Sequence, residues 1–222
     1  MSNSKELPYY TKGEEIFNAV THIVGGAFGI FALIICTIFA VKYHHDALGI
    51  LSVVLYGVSM ILLYTMSSIY HFLNRNRAKK VFRIFDHCTI YLLIAGTYSP
   101  MCLILLRDTK IGLPLFIAVW VCAIIGITAN AINMHAMPIK ILSMILYLLM
   151  GWAVIFGLKD LLDVFWGPGF YFLLAGGIAY TVGVIFYAIG AKKKWIHGIW
   201  HLFVLLGTIL HFVSIFFYVI IR

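Results

Sequence analysis

Near the C-terminus the sequence reads His197-Gly-Ile-Trp-His201, two imidazoles four residues apart and therefore stacked on one face of a helix. That spacing lets two histidines bind one metal ion. Taken singly, the motif is equally read as two interfacial histidines beside Trp195 and Trp200 in an aromatic belt. A third imidazole, His71, closes Ser67-Ser-Ile-Tyr-His71, with Ser67 one turn earlier, and a carboxylate, Asp86, follows in Phe85-Asp86-His87 after a short basic loop. Three imidazoles suit zinc with the fourth position left for water, whose pKa falls from ~15.7 to near ~7 on the metal. A carboxylate that holds or deprotonates that water completes a hydrolytic site. His71, His197 and His201 are thus candidate zinc ligands, and Asp86 and Ser67 candidate catalytic groups. Two other readings stay open: Asp86 as a helix N-terminal acid or a partner of Arg83, and Ser67 as a helical serine bonded to the Leu63 carbonyl.

Glu15, Asn18 and His22 recur at steps of three and four, so they share one helix face, which continues through Gly25 and Gly29. Small residues at that spacing allow close helix approach, so the face points into a bundle. Its polar part is read as supporting the metal ligands, steering a ligand or binding a headgroup. His44, His45 and His135 fall in breaks and read as solvated. His87 is rotated about 100° from Asp86 and reads as an interfacial or supporting group. His211 lies roughly 15 Å beyond His201 at 1.5 Å per residue, too far to share its ion, and reads as a buried hydrogen-bonding histidine or part of a polar path.

Helices must bring these residues together, and the composition says in what solvent. With 63% hydrophobic and 11% charged residues over 222 positions, and a mean hydropathy of +1.02, the chain carries less than half the charge of a soluble domain, about 25%. Apolar runs near 17–41, 48–72, 82–105, 112–133, 139–158, 168–190 and 196–220 are each long enough to cross a bilayer. They lack the alternation of an outer-membrane barrel. The expectation is an all-α membrane protein, a seven-transmembrane helix bundle, with residues 1–15 as a short tail and 16–222 as a single domain.

Basic residues concentrate in the tail (Lys5, Lys12) and in the 73–81, 134–140 and 191–195 breaks, against Lys42, Arg107, Lys110, Lys159 and Arg222 in the opposite set. The bias predicts a cytoplasmic N-terminus, an outside C-terminus and a site at the cytoplasmic face. The tail lacks the n-region and h-region of a signal peptide. Cys36, Cys88, Cys102 and Cys122 sit in apolar runs without C-x-x-C spacing and read as packing residues. The net charge of +8 lies in interhelical breaks, which argues for topology and against nucleic acid as a partner.

Glu15-x-x-Asn18-x-x-Thr21-His22, Ser67-x-x-x-His71, Asp86-His87 and His197-x-x-x-His201, in that order, resemble the hemolysin III family of bacterial membrane proteins, relatives of the progestin and adipoQ receptors. The likeness covers nearly the whole chain, including Ala95-Gly-Thr-Tyr-Ser-Pro100. It implies seven helices in a bacterial cell membrane and zinc held by His71, His197 and His201, with Asp86 matching the aspartate that contacts the metal water. Receptor relatives are associated with ceramidase-type amide hydrolysis, which implies membrane lipids as partners and a lipid amide or ester entering laterally as substrate. The alternatives are a non-catalytic sensor or lipid-homeostasis protein with structural zinc, and a lytic or pore-forming protein. The last ranks lowest, because the polar residues concentrate at one end rather than along a pore.

Overall fold

The first three helices start where a side chain takes over an orphan backbone donor. The Thr11 hydroxyl oxygen accepts from the Glu14 N–H at 3.3 Å and the Glu14 carboxylate accepts from the Thr11 N–H at 2.9 Å, a reciprocal capping box. Asp46 accepts from the Gly49 N–H at 2.9 Å, and Asn76 from the Lys79 N–H at 3.0 Å. The computed structural model describes residues 7–190 and 193–222, so Lys5 and Lys192 of the charge argument lie outside the described residues. The caps open α1 (Lys12–Tyr43), α2 (Ala47–Phe72) and α3 (Arg77–Pro100). They are followed by α4 (Gly112–Asn133), α5 (Met137–Gly151), α6 (Leu158–Phe165), α7 (Pro168–Gly190) and α8 (Ile196–Ile215). A 3₁₀ turn, Ala153–Gly157, joins α5 to α6, and the three together form one span. α3 and α8 each continue through a π-helical turn, Met101–Leu105 and Phe216–Ile220. Pro100, which has no N–H, stands at the first junction, and the wide turn closes with the Leu106 N–H on the Met101 carbonyl at 2.9 Å.

Among the described residues, seven helices are thus long and apolar enough to cross a membrane. α1 and α3 begin earlier than their apolar runs because Thr11 and Asn76 extend them into polar sequence. Glu15 therefore sits in the first turn of α1, and Asp86 lies roughly 2.5 turns inside α3, which removes the helix-end reading of that carboxylate. The outer surface carries large apolar side chains such as Ile30, Ile34, Ile38, Ile117 and Ile124, while Tyr56, Tyr64, Tyr91 and Met60 are fully enclosed. This is the arrangement of a chain solvated by lipid. α1 packs on α2 and α8, α2 on α3, α3 on α4 and α5, and α7 on α8. A Cβ at Gly25 would overlap the Tyr64 ring, so glycine is what lets α1 close on α2. Deeper in the bundle the Tyr64 and Tyr180 hydroxyls each meet the Thr208 hydroxyl at 2.7 Å, tying α2, α7 and α8 together. All four cysteines are free thiols.

Candidate metal centre

The start of α1, the end of α2, the first turns of α3 and the start of α8 meet at the end of the bundle that carries the N-terminus. There one ring nitrogen from each of His71, His197 and His201 lies within 4.8 Å of the other two. The Nε2 atoms of His197 and His201 are 3.1 Å apart. Tetrahedral zinc, with Zn–N distances of about 2.0–2.1 Å, sets its nitrogens roughly 3.3 Å apart, so the pair already has a ligand spacing.

What orients each ring is a hydrogen bond on its far side. His71 Nδ1 meets Glu15 Oε2 at 2.7 Å, and the other Glu15 oxygen accepts from Lys79 Nζ at 2.7 Å. Lys79 is 1% exposed and donates also to the Leu73 carbonyl at 3.0 Å. His71 Nε2 is left buried with no protein partner. His201 Nδ1 lies 3.2 Å from the Asn18 carbonyl, which can only accept, so that ring carries its proton on Nδ1 and presents the Nε2 lone pair toward His197. A carboxylate or carbonyl fixing the outer nitrogen of an inward-facing imidazole is the usual support of a metal ligand. The donor set and its orphaned nitrogen therefore fit a metal of the zinc type.

Local sequence permits this convergence at Gly198, between the two histidines: a Cβ there would lie 2.8 Å from the Phe17 ring and 3.1 Å from Asn18 Oδ1. Trp195, with a left-handed backbone (φ 65°), donates its N–H to Glu14 Oε1 at 2.6 Å and latches the start of α8 to α1. His22 stacks on His201 with ring centroids 3.7 Å apart. Both His22 ring nitrogens and the Asn18 amide are buried and unpartnered by protein.

Asp86 and Ser67 stand together beside the histidines, with the Ser67 hydroxyl close to the Asp86 carboxylate. The back-bond considered for Ser67 is made instead by its neighbour Ser68, which donates to the Tyr64 carbonyl at 2.7 Å. No salt bridge joins Asp86 to Arg83 among the described residues. Asp86, Ser67, His22, His197 and His201 all line a cavity of about 380 Å³ that continues along α3 past Ile90, Leu93 and Ile94 to Tyr98, Trp152 and His211. Its walls beyond the histidines are largely apolar.

Of the other histidines, His211 lines the far part of the cavity and sits 3.0 Å from the Leu173 carbonyl, a partly buried hydrogen-bonding group outside the cluster. His87 lines the cavity without joining the triad. His44, expected to be solvated, meets the Ile220 carbonyl at 2.9 Å and ties the end of α1 to the end of the last span. Three participants were missed by sequence reasoning. Lys79 was counted as a loop cation, although the Asn76 cap three residues earlier marks it as helical. Arg83 was weighed only as a topological charge and a partner of Asp86, yet it lines the cavity. Tyr10 stacks on His197 with centroids 4.9 Å apart and covers the cluster, and no signal in the polar tail distinguishes it from Tyr9.

Residues 10–212 match the family described as "Haemolysin-III related". "Hemolysin-3" of Bacillus cereus is 44% identical over 207 residues, covering 93% of this chain and 92% of the relative. "Hemolysin-3 homolog" of Bacillus subtilis is 42% identical over 209 residues, 94% and 96% of the two chains. The human "Monocyte to macrophage differentiation factor" is 24% identical over 208 residues, 91% of this chain and 83% of that one. With seven membrane-length helices and a match along almost its whole length, this chain is a multi-pass cell-membrane protein that belongs to the haemolysin-III-related family.

Proposed function

We propose that this protein is a zinc-dependent membrane hydrolase that cleaves a lipid amide or ester at the cytoplasmic face. The observation that carries the reading is the convergence of three imidazole nitrogens within 4.8 Å beside a carboxylate, at the mouth of an apolar cavity. Three protein ligands are the count of a zinc site with an open position, whereas a structural site is closed by four. A zinc ion held by His71, His197 and His201 supplies a Lewis acid that polarises a carbonyl and acidifies water.

The remaining roles belong to the chain. Asp86 lies outside the ligand triad and accepts a proton from the attacking water, then returns it to the leaving amine or alcohol. The Ser67 hydroxyl holds that carboxylate in place. Glu15 and the Asn18 carbonyl keep the imidazoles turned inward, so the site is assembled before substrate arrives. Ile90, Leu93 and Ile94 take the acyl chain and keep bulk water from the reacting carbonyl. α5 and α7 both line the cavity yet barely pack on each other, and Trp152 Nε1 donates to Thr181 Oγ1 at 3.0 Å between them. That seam is the route by which a lipid enters from the bilayer. The excess of basic residues in the breaks at the N-terminal end supports a cytoplasmic N-terminus and site.

The test is a metal analysis and a fatty-acid release assay on purified protein with ceramides, acyl-amines and phospholipids. Wild type is expected to hold one zinc per chain and to release fatty acid from one class, Asp86→Ala to keep zinc without turnover, and His71→Ala to lose the metal. Retained zinc with no turnover on any class overturns the hydrolase reading and leaves zinc as a staple of α2 and α8.

A further inference from the structure

Arg83 faces the cavity one turn before Asp86, half-buried, at the same mouth as the histidine cluster. Among the described residues no ion pair or hydrogen bond engages its guanidinium. Of the nearby charges, Lys79 and Glu15 neutralise each other at 2.7 Å, and the Asp86 carboxylate acts on Arg83 through space without closing a salt bridge. An arginine at a membrane surface ordinarily reaches outward to headgroups, but this one stands among cavity walls.

Three phenols share its cavity. Tyr10, Tyr70 and Tyr187 line the same mouth, and their hydroxyls have no protein hydrogen-bond partner among the described residues. The mouth therefore presents one guanidinium whose donors have no hydrogen-bond acceptor and three uncommitted hydroxyls, next to a cluster that would itself hold a cation. Such a donor set recognises an oxyanion, and a planar guanidinium fits phosphoryl oxygens two at a time.

We infer that Arg83, Tyr10, Tyr70 and Tyr187 form a phosphoryl-binding site at the cavity mouth, so that the lipid taken by this protein carries a phosphate headgroup. The inference rests on the hydrolase reading for the direction in which the lipid lies. Along α3, Arg83 precedes Asp86 by about 4.5 Å of helix rise, comparable to the separation of a phosphate and an acyl ester on one glycerol backbone. The apolar wall begins one turn further on at Ile90. Headgroup, scissile carbonyl and acyl chain thus have successive places on one helix face.

The experiment is equilibrium binding to purified full-length protein in neutral detergent, with short-chain phosphatidic acid, the matching diacylglycerol and inorganic phosphate as probes. Wild type is expected to bind phosphatidic acid at least about tenfold more tightly than diacylglycerol, the scale of a charge-assisted hydrogen bond. Arg83→Gln is expected to abolish that preference with diacylglycerol binding unchanged, and Arg83→Lys to keep part of it. Tyr187→Phe, which removes one hydroxyl and keeps the guanidinium, is expected to weaken phosphatidic acid binding about fivefold and serves if Arg83→Gln does not fold. Inorganic phosphate that competes as strongly as phosphatidic acid supports the site and assigns it to free phosphate. Equal binding of phosphatidic acid and diacylglycerol by wild type, or an undiminished preference in Arg83→Gln, overturns the inference. Because binding needs no turnover, an absence of hydrolysis leaves this result standing.

Discussion

Replacing Glu15 tests whether the carboxylate between His71 and Lys79 organises the metal centre. Removing one partner of a buried ion pair costs about 3–5 kcal/mol, because the other charge stays behind uncompensated. Lys79 is the charge left behind: its side chain is 1% exposed, against 17% for Glu15. It keeps the carbonyls of Leu73 at 3.0 Å and His71 at 3.4 Å, so the cost for Glu15→Ala falls at the low end, about 3 kcal/mol, or roughly a hundredfold in the folding equilibrium. The loss of the bond to His71 Nδ1 frees that ring to turn and lowers zinc affinity by about 10–100-fold. Glu15→Gln keeps the volume, but its one carbonyl oxygen serves either His71 or Lys79, and an intermediate loss is expected. Chelator competition gives the zinc affinity, and thermal unfolding in detergent with and without zinc gives the stability. Adding Lys79→Met to Glu15→Gln removes the stranded charge and is expected to recover stability without recovering metal affinity, so the two effects separate in a double-mutant cycle. Wild-type zinc affinity in Glu15→Ala would refute the claim that this carboxylate holds the ligand in place.

Other outcomes follow from the same geometry. Gly198→Ala sets a methyl 2.8 Å from Phe17; it is expected to push α8 from α1, costing about 1–3 kcal/mol, and to weaken zinc binding while His197 and His201 remain present, read by the same competition assay. Thr208→Val keeps the shape but strands the phenols of Tyr64 and Tyr180, each 2.7 Å from the lost hydroxyl, and thermal unfolding should report about 2 kcal/mol. Asp46→Ala removes the cap of α2 and the 3.0 Å pair with Arg107, at a cost of about 1 kcal/mol. The Gly49 N–H, aided by Arg107, holds the Asp46 pKa below the usual carboxylate range. Its contribution is therefore full above the unfolded pKa near ~3.9 and is lost as pH falls through the lower folded value; wild type and Asp46→Ala should converge in stability only in that acidic window.

The spans were legible because hydropathy reads the solvent directly, and the histidine triad was legible because two of its members share a helix face while the third ends a neighbouring span. Helix starts were less so: Thr11 and Asn76 carry α1 and α3 into polar sequence that a hydropathy window excludes, and this moved Glu15 from the tail into the first turn of α1 and Asp86 from a helix edge to a helix interior. Apolar periodicity also hid the break of the fifth span at Ala153–Gly157, since a 3₁₀ turn keeps the composition of the helices around it. Contacts such as His44 with Ile220 join residues that only the closed bundle brings together. Lys79 and Arg83 show the same limit in reverse, because a basic run looks solvated until its helix is known to face a cavity.

The segment just ahead of α1 is a tethered cover over the histidines. Tyr10 lies over His197, and its segment is pinned by Arg75, which donates to the carbonyls of Pro8 at 2.6 Å and Leu7 at 2.9 Å. A metal held by the three histidines would lie beside that ring, so a lift of the segment would widen its path to solution, and Arg75 would bear on how fast metal leaves rather than on how tightly it is held.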